Sequence, residues 1–140
     1  MEFMLMPYRR YADFSGRSRR KEYWMFALFQ ALVAVVIMVL MATQFPWSNP
    51  DSFGIDGPSP LMILFGGLLV VFWLGSLVPN IAVTVRRFHD QDKSGWMYLL
   101  NFVPYVGGLV VFVFMCLSGT RGPNQYGDDP LDGNMADVFA

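Results

Sequence analysis

A chain of 140 residues is long enough for one domain and short for two. Hydrophobic residues make up 54% of it and charged residues 15%, against roughly 45–50% and 25% in an average soluble domain. The net charge of −1 hides an uneven distribution, with cations in short clusters and long stretches carrying none. This excludes a soluble helical protein in which every helix bears a polar face, and it leaves nucleic-acid binding with nothing beyond generic basicity.

In chain order, residues 1–23 form a basic segment that includes Arg9, Arg10, Arg17, Arg19, Arg20 and Lys21. "WMFALFQALVAVVIMVLMAT", residues 24–43, follows with no charge and one polar interior side chain, Gln30. Its length meets the roughly 20 residues that a helix needs to cross a hydrocarbon core. A secretory signal fits poorly, because its apolar run has about 7–15 residues and ends at a small-residue cleavage site. The connection Gln44 to Pro60 carries no Lys or Arg.

"LMILFGGLLVVFWLGSLVPNIAVTV", residues 61–85, predicts a second crossing helix with a tilt or kink at Pro79 and Asn80. Gly66, Gly67, Gly75 and Ser76 are small enough to allow close helix approach. Residues 96–117, "WMYLLNFVPYVGGLVVFVFMCL", predict a third, interrupted by Asn101, Pro104 and Gly107-Gly108. A re-entrant hairpin there would need shielding of its unpaired backbone groups, so a complete crossing is the favoured expectation. A polar tail, residues 118–140, then lies outside. The fold class expected is all-α: an integral membrane helical bundle of three transmembrane helices, the third kinked or re-entrant.

The basic clusters before the first span and between the second and third, the latter with Arg86, Arg87 and Lys93, put both on the cytoplasmic side. Tyr23, Trp24 and Trp96 read as interfacial anchors. Arg17, Arg19, Arg20, Arg86 and Arg87 are candidates for binding lipid headgroups or a partner, each basic residue near an anionic surface contributing about 1 kcal/mol. An antiparallel pair of spans brings Glu22 to the depth of Arg86 and Arg87, so Glu22, His89 and Asp90 are expected to clamp the helices through charge-assisted bonds. Asp92 or Ser94 would cap the helix that follows.

Catalytic and metal readings of "VRRFHDQDKSGWM" are weaker. One histidine with scattered carboxylates, Asp13, Glu22, Asp90 and Asp92, is not a ligand set, so no metal or cofactor is expected. Ser94 near His89 has no third group to complete a nucleophilic arrangement. Cys116 stands alone, and no Gly-rich phosphate loop occurs.

"FSGRSRRKEYWMF", "RRFHDQDKSGWMYLLNFVPYVG" and "GTRGPNQYGDDP" together resemble the three signature segments of a domain-of-unknown-function family, family 805, of small bacterial inner-membrane proteins. The match spans Phe14 to Pro130. Its motif positions include Gly16, Arg17, Arg20, Glu22, Trp24, Arg86, Arg87, His89, Asp90, Gly95, Trp96, Pro104, Asn124, Tyr126, Gly127 and Pro130. The resemblance implies a multi-pass protein of the bacterial inner membrane and supplies no activity. The expected role is non-enzymatic, a structural or regulatory module that binds a partner protein, a second copy of itself or anionic lipid at its basic cytoplasmic face. A transporter or channel subunit is the competing class, followed by a membrane enzyme using His89 and Asp90.

Overall fold

The computed structural model describes residues 2–50, 53 and 57–131, and among these every regular element is helical. The chain divides into two compact units, residues 28–77 and residues 1–27 with 78–140.

The first of these units holds the apolar parts of two long helices, α2 (Arg20–Ala42) and α3 (Pro60–His89). At 1.5 Å per residue they measure about 35 and 45 Å, enough to cross roughly 30 Å of hydrocarbon. Their side chains fit a membrane span better than a soluble core. Leu32, Val36, Val39, Leu64, Val71 and Leu74 are all exposed, and only 6% of the most apolar window of either helix is buried. The Trp47 indole N–H caps α2 by donating to the Ala42 carbonyl at 2.9 Å. α3 opens with Ser59 as N-cap, its hydroxyl accepting from the Met62 N–H, and with Pro60 at the first position, where no N–H is needed. Gly67 and Gly75 face open space, so they do not serve the close helix approach that their size suggests.

In the other unit α3 runs past its apolar stretch to His89, which places Arg86, Arg87 and His89 in the last turn, at the negative end of the helix dipole. It stops in a Schellman motif: Asp92 takes a left-handed φ of 55°, and the N–H groups of Asp92 and Lys93 donate to the carbonyls of His89 and Phe88. Ser94 then caps a 3-10 helix, Gly95–Phe102. The short helix α1 (Glu2–Arg9), which the basic-segment reading missed, sets Tyr8 edge-to-face on Phe26 with centroids 5.2 Å apart.

The third apolar run is not one continuous helix. Pro104 lacks an N–H, and Tyr105 turns left-handed at φ 66°, so the run breaks into the 3-10 helix and a ten-residue α4 (Gly107–Cys116). About 15 Å of α-helix is too short to span the bilayer. The two pieces fold against each other, and their ends meet the same turn of α3. Gly95 lies against Val85 and His89, while the carbonyls of Phe114 and Leu117 accept from Gln91 and Arg87. Phe88, Val111 and Met115 form the core beneath, flanked by Tyr23, Met97, Tyr98, Leu100 and Phe114.

This hairpin depends on Gly107, where a Cβ would overlap the Leu100 carbonyl, whereas Gly108 faces open space. Gly107→Ala is expected to cost about 1–3 kcal/mol through overpacking, and Gly108→Ala to be neutral or slightly stabilising. Unfolding of the two variants in detergent, followed by tryptophan fluorescence, checks this. Equal effects would mean that the two segments do not touch as described.

Candidate functional site

The polar groups of the unit containing both termini converge at the end of α3. Asp90, one residue past the helix, is 5% exposed. Its Oδ1 accepts from Arg17 Nε at 3.0 Å and its Oδ2 from Arg87 Nη1. Its backbone carbonyl accepts from the Thr120 N–H at 2.8 Å. Arg17 also reaches the tail, donating to the carbonyls of Thr120 at 2.5 Å and Gly122 at 2.7 Å. A single residue, through its carboxylate and its backbone carbonyl, therefore ties together the segment before α2, the end of α3 and the chain after α4. Gly119 is required beside it, because a Cβ there would overlap the Asp90 carboxylate.

A second pair lies next to the first. Arg86 Nη2 donates to Glu22 Oε1 at 3.3 Å, and the Arg86 carbonyl accepts from the Ser18 N–H at 3.1 Å. Three buried guanidinium groups thus face two buried carboxylates. The excess positive charge is offset by the carbonyls of Thr120, Gly122 and Leu117, and by the negative end of the α3 dipole.

His89 belongs to the packing of this cluster. Its ring stacks on Tyr126 at 3.9 Å with an interplanar angle of 4°, and Nδ1 lies 3.3 Å from the Gly16 carbonyl. Asn124 Nδ2 donates to the His89 carbonyl at 2.9 Å. The tail is shaped as a turn by mutual Asn124 and Gly127 backbone bonds. The Asp129 carboxyl accepts from the N–H groups of Gly122 and Leu131, and these bonds hold it below the usual carboxylate range.

The candidate residues therefore separate into two sets. Arg17, Arg86 and Arg87 are 7%, 0% and 0% exposed, and their guanidinium groups are engaged by carboxylates and carbonyls. Arg19 is half-buried and Arg20 exposed. Together with Lys21, Thr120, Arg121 and Asp129 they line a cavity of about 410 Å³. Glu22 pairs with Arg86, and Asp90 with both Arg17 and Arg87, while His89 joins neither ion pair and packs on Tyr126. Tyr23 packs on the core, Trp24 meets Phe112 edge-to-face at 5.7 Å, and Trp96 is 79% exposed. Among the described residues no three His, Cys, Asp or Glu side chains converge to hold a metal. Sequence reasoning missed Lys21 and Arg121 as members of a site, because Arg121 joins Arg19 and Arg20 only through the returned tail.

The family model described as protein of unknown function (DUF805) matches residues 11–128. The chain belongs to this family. It is 40% identical over 134 residues to inner membrane protein YhaI of Escherichia coli strain K12, covering 96% of this chain and 99% of that protein. Inner membrane protein YhaH of the same strain is 36% identical over 130 residues, covering 93% and 97%. No solved structure matches the chain. The matched region of this DUF805 member contains the Arg17, Glu22, Arg86, Arg87 and Asp90 cluster and the tail turn as far as Asp128.

Asp90→Asn removes the shared partner of two buried cations, and breaking a buried pair in this way costs about 3–5 kcal/mol. Arg121→Gln, an exposed change, is expected to stay within about 0.5 kcal/mol. Thermal unfolding of both variants in a zwitterionic detergent is the check, and a mild effect of Asp90→Asn would contradict a structural role for the cluster.

Proposed function

We propose that the chain is a non-enzymatic structural or regulatory module of the bacterial inner membrane, with its N-terminus, the α3 turn and the tail all in the cytoplasm. Its basic face, set at the membrane surface, engages an anionic lipid surface or a partner protein. The observation that carries this reading is the division of the cations. Arg17, Arg86 and Arg87 are buried in a fixed framework, and Arg19, Arg20, Lys21 and Arg121 are left around one opening beside it.

Two further features support it. The N-terminal cations and those of the α3 turn, separated by two long apolar helices, obey the positive-inside rule together. The names of the two E. coli relatives place those proteins in the inner membrane. His89 is held by Tyr126 and Gly16 as a packing element, which favours a structural over a catalytic role. The 3-10 and α4 pair is read as a re-entrant hairpin. Phe102, Tyr105, Val106 and Leu109, all exposed, would meet lipid or interface, and Arg87 of α3 and Gln91 of the turn after it supply partners for the carbonyls at its C-terminal end.

Cysteines at the exposed positions Ser48 and Gln125, in a Cys116→Ser background, test this arrangement with a membrane-impermeant thiol reagent. The Ser48 site is expected to label in intact cells, and the Gln125 site only after permeabilisation. Labelling of the Gln125 site in intact cells would overturn the cytoplasmic placement of the tail.

A further inference from the structure

Two cavities share a wall on the basic face. The first, about 410 Å³, is lined by Arg19, Arg20, Lys21 and Arg121. Two carboxylates also border it: Asp90 is held between Arg17 and Arg87, while Asp129, its oxygens accepting from the backbone of Gly122 and Leu131, keeps its negative charge and offsets one of the four cations. The second cavity, about 430 Å³, is bounded by the same Arg20 and Lys21 and then by Trp24, Met25 and Cys116. Helical spacing explains the junction. Trp24 and Met25 lie four residues beyond Arg20 and Lys21, so each apolar side chain sits one turn below a cation on the same face of α2.

A ligand that fills both cavities carries negative charge at one end and hydrocarbon at the other. We propose that this face binds one anionic phospholipid, its phosphate among Arg19, Arg20, Lys21 and Arg121 and an acyl chain along Trp24, Met25 and Cys116. The inference rests on the inner-membrane placement proposed above and narrows it from a basic face to one lipid site. A phosphate diester accepts charge-assisted bonds from several guanidinium and ammonium groups at once. Arg20 is already anchored to the framework, its Nη1 donating to the Cys116 carbonyl at 3.3 Å. Lys21 Nζ lies 5.2 Å above the Phe3 ring, so α1 holds it near the opening. A free phosphate would satisfy the cations and leave the Trp24 and Met25 groove empty, and for this reason lipid is the favoured source.

The test uses native mass spectrometry of the full chain in detergent, titrated with dioleoylphosphatidylglycerol and, separately, with dioleoylphosphatidylcholine. The wild type is expected to retain one phosphatidylglycerol in preference to phosphatidylcholine. Lys21→Gln with Arg121→Gln is expected to weaken that retention about twenty-five-fold, at roughly fivefold per surface cation. Arg121→Glu alone serves as a second variant if the double change lowers the melting temperature in zwitterionic micelles. Millimolar inorganic phosphate should leave the bound lipid in place. Equal retention by wild type and variants, or no preference over phosphatidylcholine, overturns the lipid site. Displacement by inorganic phosphate at the lipid's own concentration also overturns it, in favour of a free anion. Thiol labelling that puts the tail outside the cell is a separate failure and sinks the cytoplasmic reading, whatever lipid is retained.

Discussion

The arrangement of the polar half of this protein depends on one buried carboxylate. Asp90 accepts from Arg17 on one oxygen and Arg87 on the other, and its backbone carbonyl receives Thr120. Desolvating such a cluster is costly, so its net contribution to stability is modest, but removing Asp90 leaves the buried Arg17 and Arg87 without a carboxylate. The physical consequence is specificity of arrangement rather than raw stability. Three segments distant in sequence must be present together for any one of them to be satisfied, and Gly119 is the residue that lets the last approach closely enough.

From this constraint follows the course of the third apolar run. Its C-terminal carbonyls are drawn to Gln91 and Arg87, and its N-terminal end is fixed by the Schellman turn at Asp92 and the Ser94 cap. With both ends at one end of α3, the residues between must fold back. Pro104, Tyr105 and the close approach of Gly107 to Leu100 supply the bend.

Much of this was legible in the sequence, and the exceptions have identifiable causes. The two long helices announce themselves by length and absence of charge, and Glu22 opposite the α3 arginines follows from an antiparallel pair. Hydropathy cannot separate a crossing from a hairpin, because twenty-two apolar residues read alike in either. The decision lies with Arg87 and Leu117, thirty residues apart. Asp92 gave no C-cap signal, since glycine is the usual residue at that left-handed position. Helix α1, with Pro7 inside it, has too little pattern to be seen alone. The sequence offers the arginines both as a headgroup surface and, at Arg86 and Arg87, as partners of Glu22 and Asp90, and composition does not say which cations carbonyls will claim: Arg17 is taken by a tail more than a hundred positions away, and Arg20 remains exposed.

The same residue explains why the remaining cations are held in place, since Arg19, Arg20 and Lys21 lie within four residues of Arg17, anchored on the Asp90 carboxylate, and Arg121 follows Thr120, anchored on the Asp90 carbonyl. The most direct test of the account is the distance between the α3 turn and the tail in a bilayer. Spin labels at Lys93 and Gln125, in a Cys116→Ser background reconstituted into lipid, report it by pulsed electron resonance. The account predicts a single short distance, well under the roughly 30 Å of the hydrocarbon core. A distribution centred beyond that thickness would put the tail across the membrane from Asp90 and contradict it.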